Sequence, residues 1–212
     1  MIDKLLKWLK HSLSALAHSR YLITWNLFLA FIPLVLSVWL FRWSKKASIF
    51  WWIVFLVFIA FLPNAPYVLT DVIHLIDLIR SGYSVWTITL VLIPQYTLFI
   101  LAGFEAYVMS LINLGFFLHR QKLSQYILAV ELIIHALSAI GIYLGRFERF
   151  NSWDFVTKPK ILLSSIMDNL ARKQPIIVIL ITFVVITGLY WLVKQVNLGV
   201  ALRIKESKSG KS

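Results

Sequence analysis

The stretch PIIVILITFVVITGLYWLV, residues 175–193, decides the fold class of this chain. It carries no charged side chain and is close to the roughly 20 apolar residues that a helix needs to cross a bilayer. The whole chain has the same character, since 60% of its 212 residues are hydrophobic, 14% are charged, and the mean hydropathy is +0.82. This composition excludes a soluble globular domain, a disordered chain and a fibrous protein, and it predicts an integral membrane protein.

Four further apolar segments precede this stretch. One of them covers 35 residues, 84–118, which would be roughly 50 Å long as a single helix. We expect it to tilt, to protrude from the bilayer or to kink near Pro94, and a break there would give six spans instead of five. The prediction is an all-α, polytopic transmembrane helix bundle over residues 21–193. Its spans lie near residues 21–41, 47–62, 85–113, 123–144 and 175–193.

The two ends of the chain are more polar than the bundle. In residues 1–20, leucines recur at helical spacing between lysines, which predicts an amphipathic helix along the membrane interface. A helical lead-in to the first span is the alternative. Residues 194–212 form a polar, basic tail, and we expect its last ten residues to be disordered.

The net charge of +12 comes from 21 Lys and Arg against 9 Asp and Glu. Because the basic residues stand at the ends of apolar segments, the expected partners are membrane lipids, including anionic headgroups, and no nucleic acid. We expect the plasma (cytoplasmic) membrane. Five spans place 11 basic residues on one face and 10 on the other, so charge assigns no orientation. A homo-oligomer and a subunit of a membrane complex both stay open.

The segment LPNAPYVLTDVIHL, residues 62–75, follows the second predicted span. Pro63 and Pro66 should end that helix, and Asn64 can satisfy a backbone group that they free. Asp71 and His74 stand three residues apart and share a helix face. Such a pair can act as a general base or as two metal ligands, whereas the alternative is a helix cap beside an interfacial histidine.

The segment GRFERFNSWD, residues 145–154, follows the fourth predicted span. Arg146 and Arg149 are three apart, so on a helical turn both guanidinium groups would point the same way and could hold a phosphate or carboxylate. The alternative is a membrane-anchoring loop in which Glu148 and Asp154 neutralise the arginines.

The two polar segments should meet, because spans three and four separate them and return the chain to the same membrane face. We predict that Asp71 or His74 lies close to Arg146, Arg149, Asn151 or Asp154. Asn26, at the start of the first span, lies on that face too. Asp71 and His74 are the candidate catalytic residues, and the candidate ligand-binding residues are Asn26, Asn64, Arg146, Arg149, Asn151 and Asp154; the metal and any cofactor are left open.

Four polar residues fall inside the predicted spans: Gln95, Glu105, Glu131 and His135. Counted from the face of the polar segments, Gln95 and His135 would both lie roughly 15 Å deep. They could continue a polar column from His74 and Asp71 towards Glu131 and Glu105. Such a column would be a proton or ion pathway or a structural hydrogen-bond network, unless the acids extend separately to the headgroups.

Three stretches of the chain resemble a known family. They are WNLFLAFIPLVLS (residues 25–37), LPNAPYVLTDVIHL (62–75) and GIYLGRFERFNSWD (141–154), and they resemble the domain of unknown function 1361 family of predicted bacterial and archaeal membrane proteins. The resemblance implies a multi-span membrane protein and leaves its activity open.

Three functions stay open from the sequence, and whether the protein is an enzyme stays open with them. The first is a polar site for an amphiphilic or anionic ligand such as a lipid. The second is a small ion-coupled or proton-coupled transporter or an accessory subunit of one, and the third is a structural partner in a membrane complex.

Overall fold

The computed structural model describes residues 2–44, 48–170 and 172–210. Within these ranges the chain is helical almost throughout and contains no strand. The helices are α1 (Ile2–Ser37), α2 (Ile49–Phe61), α3 (Asn64–Tyr67), α4 (Val72–Arg80), α5 (Val85–Thr87), α6 (Ile93–Arg120), α7 (Ile127–Phe147), α8 (Asp154–Thr157), α9 (Pro159–Leu170) and α10 (Lys173–Lys208). Short π or 3₁₀ segments extend several of them, at Val38–Trp43, Val68–Asp71, Ile88–Leu92 and Ser124–Tyr126.

Five helical paths in the described residues are long and apolar enough to cross a membrane, which confirms the predicted bundle. They run over Trp8–Trp43, Ile49–Arg80, Val85–Arg120, Ser124–Phe147 and Lys173–Lys208. The third path stays unbroken, so the count is five and not six. A π-helical segment, Ile88–Leu92, joins α5 to α6 just before Pro94. Because Pro94 has no N–H to donate to the preceding turn, the wider π turn accommodates the missing backbone hydrogen bond.

The structure changes the expected boundaries at both ends of the chain. Helix α1 runs without interruption from Ile2, so residues 2–19 are the helical lead-in to the first span and not a separate element. Helix α10 continues to Lys208, so the expected disorder of the tail is wrong as far as that residue, because extending an existing helix costs much less than nucleating one. The predicted start of the second span, residue 47, and the last two residues of the tail lie outside the described residues.

Helix α2 ends at Phe61, just before Pro63, as the prolines predicted, but the second path continues beyond that point. After a turn at residues 62–63, α3, a 3₁₀ segment and α4 carry the chain on to Arg80. Asn64 performs its predicted role, since its Nδ2 donates to the Phe61 carbonyl at 2.9 Å. Pro66 lies in the first turn of α3, where a missing N–H costs little, so the path bends without losing its helical character.

The first and third paths lie side by side and run in the same direction. Ser12 pairs with Thr87 at 3.4 Å, Ser19 donates to Gln95 at 3.3 Å, and Asn113 donates to Ser37 at 2.9 Å. The partners are 75 or 76 residues apart in each case, which is the signature of parallel helices in register. Parallel packing is expected for the first and third spans, because the second path crosses the membrane once between them.

Two glycines let the bent second path approach its neighbours closely. A Cβ atom added at Gly141 of α7 would lie 2.8 Å from ring atoms of Pro63, and one added at Gly103 of α6 would lie 2.8 Å from the Val68 side chain. Residues 63–71 are therefore wedged between α6 and α7, and this wedge positions Asp71 inside the bundle.

Candidate functional site

The Asp71 carboxylate is the centre of a polar cluster between three helical paths. Its side chain is 1% exposed. Asn26 of α1 donates to Oδ2 at 2.6 Å, and Arg146 of α7 donates to Oδ1 at 3.2 Å. Arg146 also donates to the carbonyl of Thr70. The predicted meeting of the two polar segments is confirmed through the pair Asp71 and Arg146.

Arg146 is held in place by an aromatic ring as well as by its ion pair. Its guanidinium carbon lies 5.1 Å from the centre of the Tyr67 ring, and its side chain is 20% exposed. A Cβ atom added at Gly145 would lie 3.4 Å from the same ring. The small residue before Arg146 thus lets Tyr67 pack against α7 and under the guanidinium.

Asp71 does not cap a helix, although the sequence allowed that role. Its side chain makes no capping hydrogen bond to α4, and the Thr70 hydroxyl instead donates to the Tyr67 carbonyl at 2.7 Å. The carboxylate is turned away from its own backbone because a guanidinium and an amide from other helices offer stronger, charge-assisted partners.

His74 lies one turn after Asp71, as its spacing predicted. Its Nε2 is 3.8 Å from Asp71 Oδ1, and its side chain is 37% exposed. This separation suits an ion pair but is too long for a hydrogen bond. In the described part of the chain, no group of three or more His, Cys, Asp or Glu residues is arranged to hold a metal ion.

The two arginines do not point the same way, so this expectation was wrong. Helix α7 ends at Phe147, and Arg149 adopts a left-handed conformation with φ of +58°. The chain then turns back, and the Phe150 N–H donates to the Leu144 carbonyl at 3.1 Å. Arg146 consequently faces Asp71, while Arg149 faces a separate cavity.

Asp154 and Asn151 stabilise the connection that follows α7. Asp154 Oδ2 accepts from the Asn151 N–H at 2.7 Å, and this bond, with the nearby Thr157 hydroxyl and Lys158, holds the pKa of the Asp154 carboxyl below its ordinary value. Glu148 accepts from Asn169 at 3.3 Å. Neither acid forms an ion pair with Arg146 or Arg149 in the described residues, so the alternative of a locally neutralised loop is not supported.

A cavity lies between α1, the bend after α2, α7 and the loop at residues 149–153, and we call it the loop cavity. Its volume is about 260 Å³. Four predicted ligand-binding residues line it: Asn26, Asn64, Arg149 and Asn151. No acidic residue is among the lining residues that the structure describes. Asn64 also donates to Ser152 at 2.8 Å, which fixes the loop to the bend. Aromatic walls are provided by Trp25, Tyr67, Phe150 and Trp153.

The polar residues inside the spans form separate pairs and not one column. Gln95 accepts from Ser19, and Glu105 accepts from Asn197 at 2.7 Å. Glu131 and His135 belong to a third group. Glu131 accepts from Tyr190 and Lys194, both at 2.6 Å, and His135 Nδ1 lies 2.7 Å from the Tyr107 hydroxyl.

Gln95 and His135 do not share a depth, so that expectation was also wrong. His135 lies opposite Tyr107, which is twelve residues, or roughly 18 Å, along the same helical path from Gln95. Gln95 belongs to the third path, which begins well beyond the level at which α7 ends. The first turns of this path pack against the lead-in of α1, where Ser12 contacts Thr87. No hydrogen bond in the described residues joins the Asp71 cluster to the Glu131 group, which favours the structural interpretation.

Several partners in these clusters were not singled out from the sequence. Tyr107, Tyr190, Lys194 and Asn197 complete the intramembrane pairs, and Tyr67 and Trp25 line the loop cavity. One signal was present: Tyr190 and Lys194 stand four apart, which matches the spacing of Glu131 and His135 on the facing helix.

A family model described as "Protein of unknown function (DUF1361)" matches residues 25–187. The matched range contains the Asp71 cluster and every residue that lines the loop cavity. Neither a curated protein nor a solved structure matches the chain.

Proposed function

The chain belongs to the DUF1361 family as a multi-pass membrane protein, and from this premise we propose that its loop cavity binds the anionic headgroup of an amphiphilic molecule such as a lipid. The observation that carries the proposal is the lining. Arg149 supplies a positive charge, the Asn26 amide keeps one N–H besides the one that it donates to Asp71, and no carboxylate is among the described residues that line the cavity.

The size of the cavity supports a headgroup and not a whole lipid. Its volume of about 260 Å³ lies just under the roughly 300–1,000 Å³ of pockets that enclose a drug-sized ligand. The apolar chain of the ligand would lie outside, along α1. Trp25 at the cavity and Phe28 one turn further are 44% and 59% exposed, and they provide an apolar surface for it.

The backbone at Arg149 makes glycine a suitable replacement in the test. Arg149 lies beside the cavity with φ of +58°, a left-handed conformation that costs a residue other than glycine roughly 1–2 kcal/mol. Glycine avoids that cost, so it removes the charge without adding strain.

The plasma (cytoplasmic) membrane is the proposed location. A net charge of +12 matches its anionic lipid surface, and a phospholipid there would supply the headgroup that the loop cavity requires.

Replacing Arg149 with glycine should weaken binding of an anionic phospholipid by at least about tenfold, because a hydrogen bond to a charged group contributes roughly 1.5–3 kcal/mol. The measurement is native mass spectrometry of gently solubilised protein titrated with phosphatidylglycerol, with phosphatidylcholine as the zwitterionic comparison. The glycine should also relieve backbone strain, so the variant should unfold at the wild-type temperature or above it.

Lys122 offers a matched control, since it is an exposed cation with φ of +61° and lies outside the cavity. Lys122→Gly relieves the same kind of strain and removes the same charge, but it should leave phosphatidylglycerol binding unchanged. Equal losses in the two variants would show that net charge alone attracts the lipid, and the proposed site would then be wrong.

A further inference from the structure

A second cavity lies between α1, α4 and the first part of the third path. We call it the histidine cavity; its volume is about 530 Å³, and it shares no lining residue with the loop cavity. Its polar lining residues are Ser19, His74, Asp77, Ser81, Tyr83 and Tyr96. The volume lies within the range of pockets that enclose a small molecule.

The charge of the histidine cavity is opposite to that of the loop cavity. Asp77 contributes a carboxylate, and no lysine or arginine is among the described residues that line the cavity. Within the described residues, Asp77 forms no ion pair with a basic side chain, although the chain carries 21 of them. The cavity thus presents an uncompensated carboxylate in a strongly basic protein.

The remaining lining groups suit an ammonium ion. Ser81 donates its hydroxyl hydrogen to the Leu78 carbonyl at 2.7 Å, so its oxygen keeps lone pairs that can accept, whereas Ser19 already bonds to Gln95 and Tyr96. Tyr96 is 1% exposed, and its ring is fixed by an edge contact with Phe99. Acceptor oxygens, aromatic rings and a carboxylate together are the groups that recognise organic cations.

We propose that the histidine cavity is a binding site for a small organic amine in its ammonium form. Asp77 is the counter-ion, Tyr83 and Tyr96 form the aromatic walls, and the Ser81 oxygen accepts from an ammonium N–H group. His74 contributes to the wall beside the Asp71 carboxylate, which Arg146 already neutralises. This site does not depend on the occupancy of the loop cavity.

Butylammonium, with n-butanol as its neutral isostere, provides the test. Isothermal titration of the solubilised full chain, corrected with empty micelles, should show binding of butylammonium and at least tenfold weaker binding of n-butanol. Asp77→Asn should weaken butylammonium binding by at least about tenfold without lowering the unfolding temperature, because Asp77 is exposed and unpaired. Asp168→Asn, which removes an exposed carboxylate from α9, should change nothing.

Equal binding of butylammonium to the wild type and Asp77→Asn would overturn this proposal, as would binding of n-butanol to the wild type as tightly as butylammonium. The Arg149→Gly variant separates the two cavities. It should bind butylammonium as the wild type does even where phosphatidylglycerol binding is lost, so one proposal can fail without the other.

Discussion

Replacing Arg146 with methionine should lower the free energy of unfolding by about 3–5 kcal/mol, because the change leaves a buried carboxylate without its charged partner. Asp71 is 1% exposed and lies 3.2 Å from the guanidinium, so water cannot replace the lost charge. The Thr70 carbonyl loses its hydrogen bond as well. The measurement is reversible unfolding in mixed micelles, followed by circular dichroism.

A double variant tests whether the missing charge is the cause. Asp71→Asn combined with Arg146→Met removes both charges and keeps an oxygen that can accept from Asn26, so it should recover most of the lost stability. If the double variant is as unstable as Arg146→Met alone, packing against Tyr67 and not the ion pair accounts for the loss.

Replacing Gly141 with alanine should destabilise the protein by about 1–3 kcal/mol, because the bundle has no room for the added carbon. The new Cβ atom would lie 2.8 Å from two ring atoms of Pro63, and a proline ring cannot rotate away as a flexible side chain would. The second path must shift, and the loop cavity should deform with it, since Pro63 and Gly141 both line that cavity. The same unfolding measurement applies.

Gly188 of α10 is the matched control for this change. No atom of the described residues lies within 4 Å of a Cβ atom added there, so Gly188→Ala should stabilise the helix by up to about 1 kcal/mol. A Gly141→Ala variant that behaves like Gly188→Ala would show that the second path moves freely against α7, contrary to the wedge described above.

Hydropathy and length predicted a helix bundle of about five spans directly from the sequence, and the unbroken third path then decided between five and six. The thickness of a bilayer sets the length of a spanning helix, and the lack of water in its core requires every backbone N–H and C=O group to be hydrogen-bonded within the protein. Few folds are therefore open to a chain that is 60% hydrophobic. The number of spans then fixed which segments share a face. That reasoning was sufficient to bring Asp71 and Arg146 together, and the chemistry of proline was sufficient to assign Asn64 to a free carbonyl.

The shape of the candidate site was decided by the tertiary structure. Spacing places Arg146 and Arg149 on one helix face only if the helix continues, and α7 ends between them. The depth of His135 depends on the register between α6 and α7, and the continuation of the second path depends on the space that Gly103 and Gly141 leave for residues 63–71. Sequence periodicity gives the face of each helix, whereas the relative position of two faces depends on side-chain packing between residues far apart in the chain.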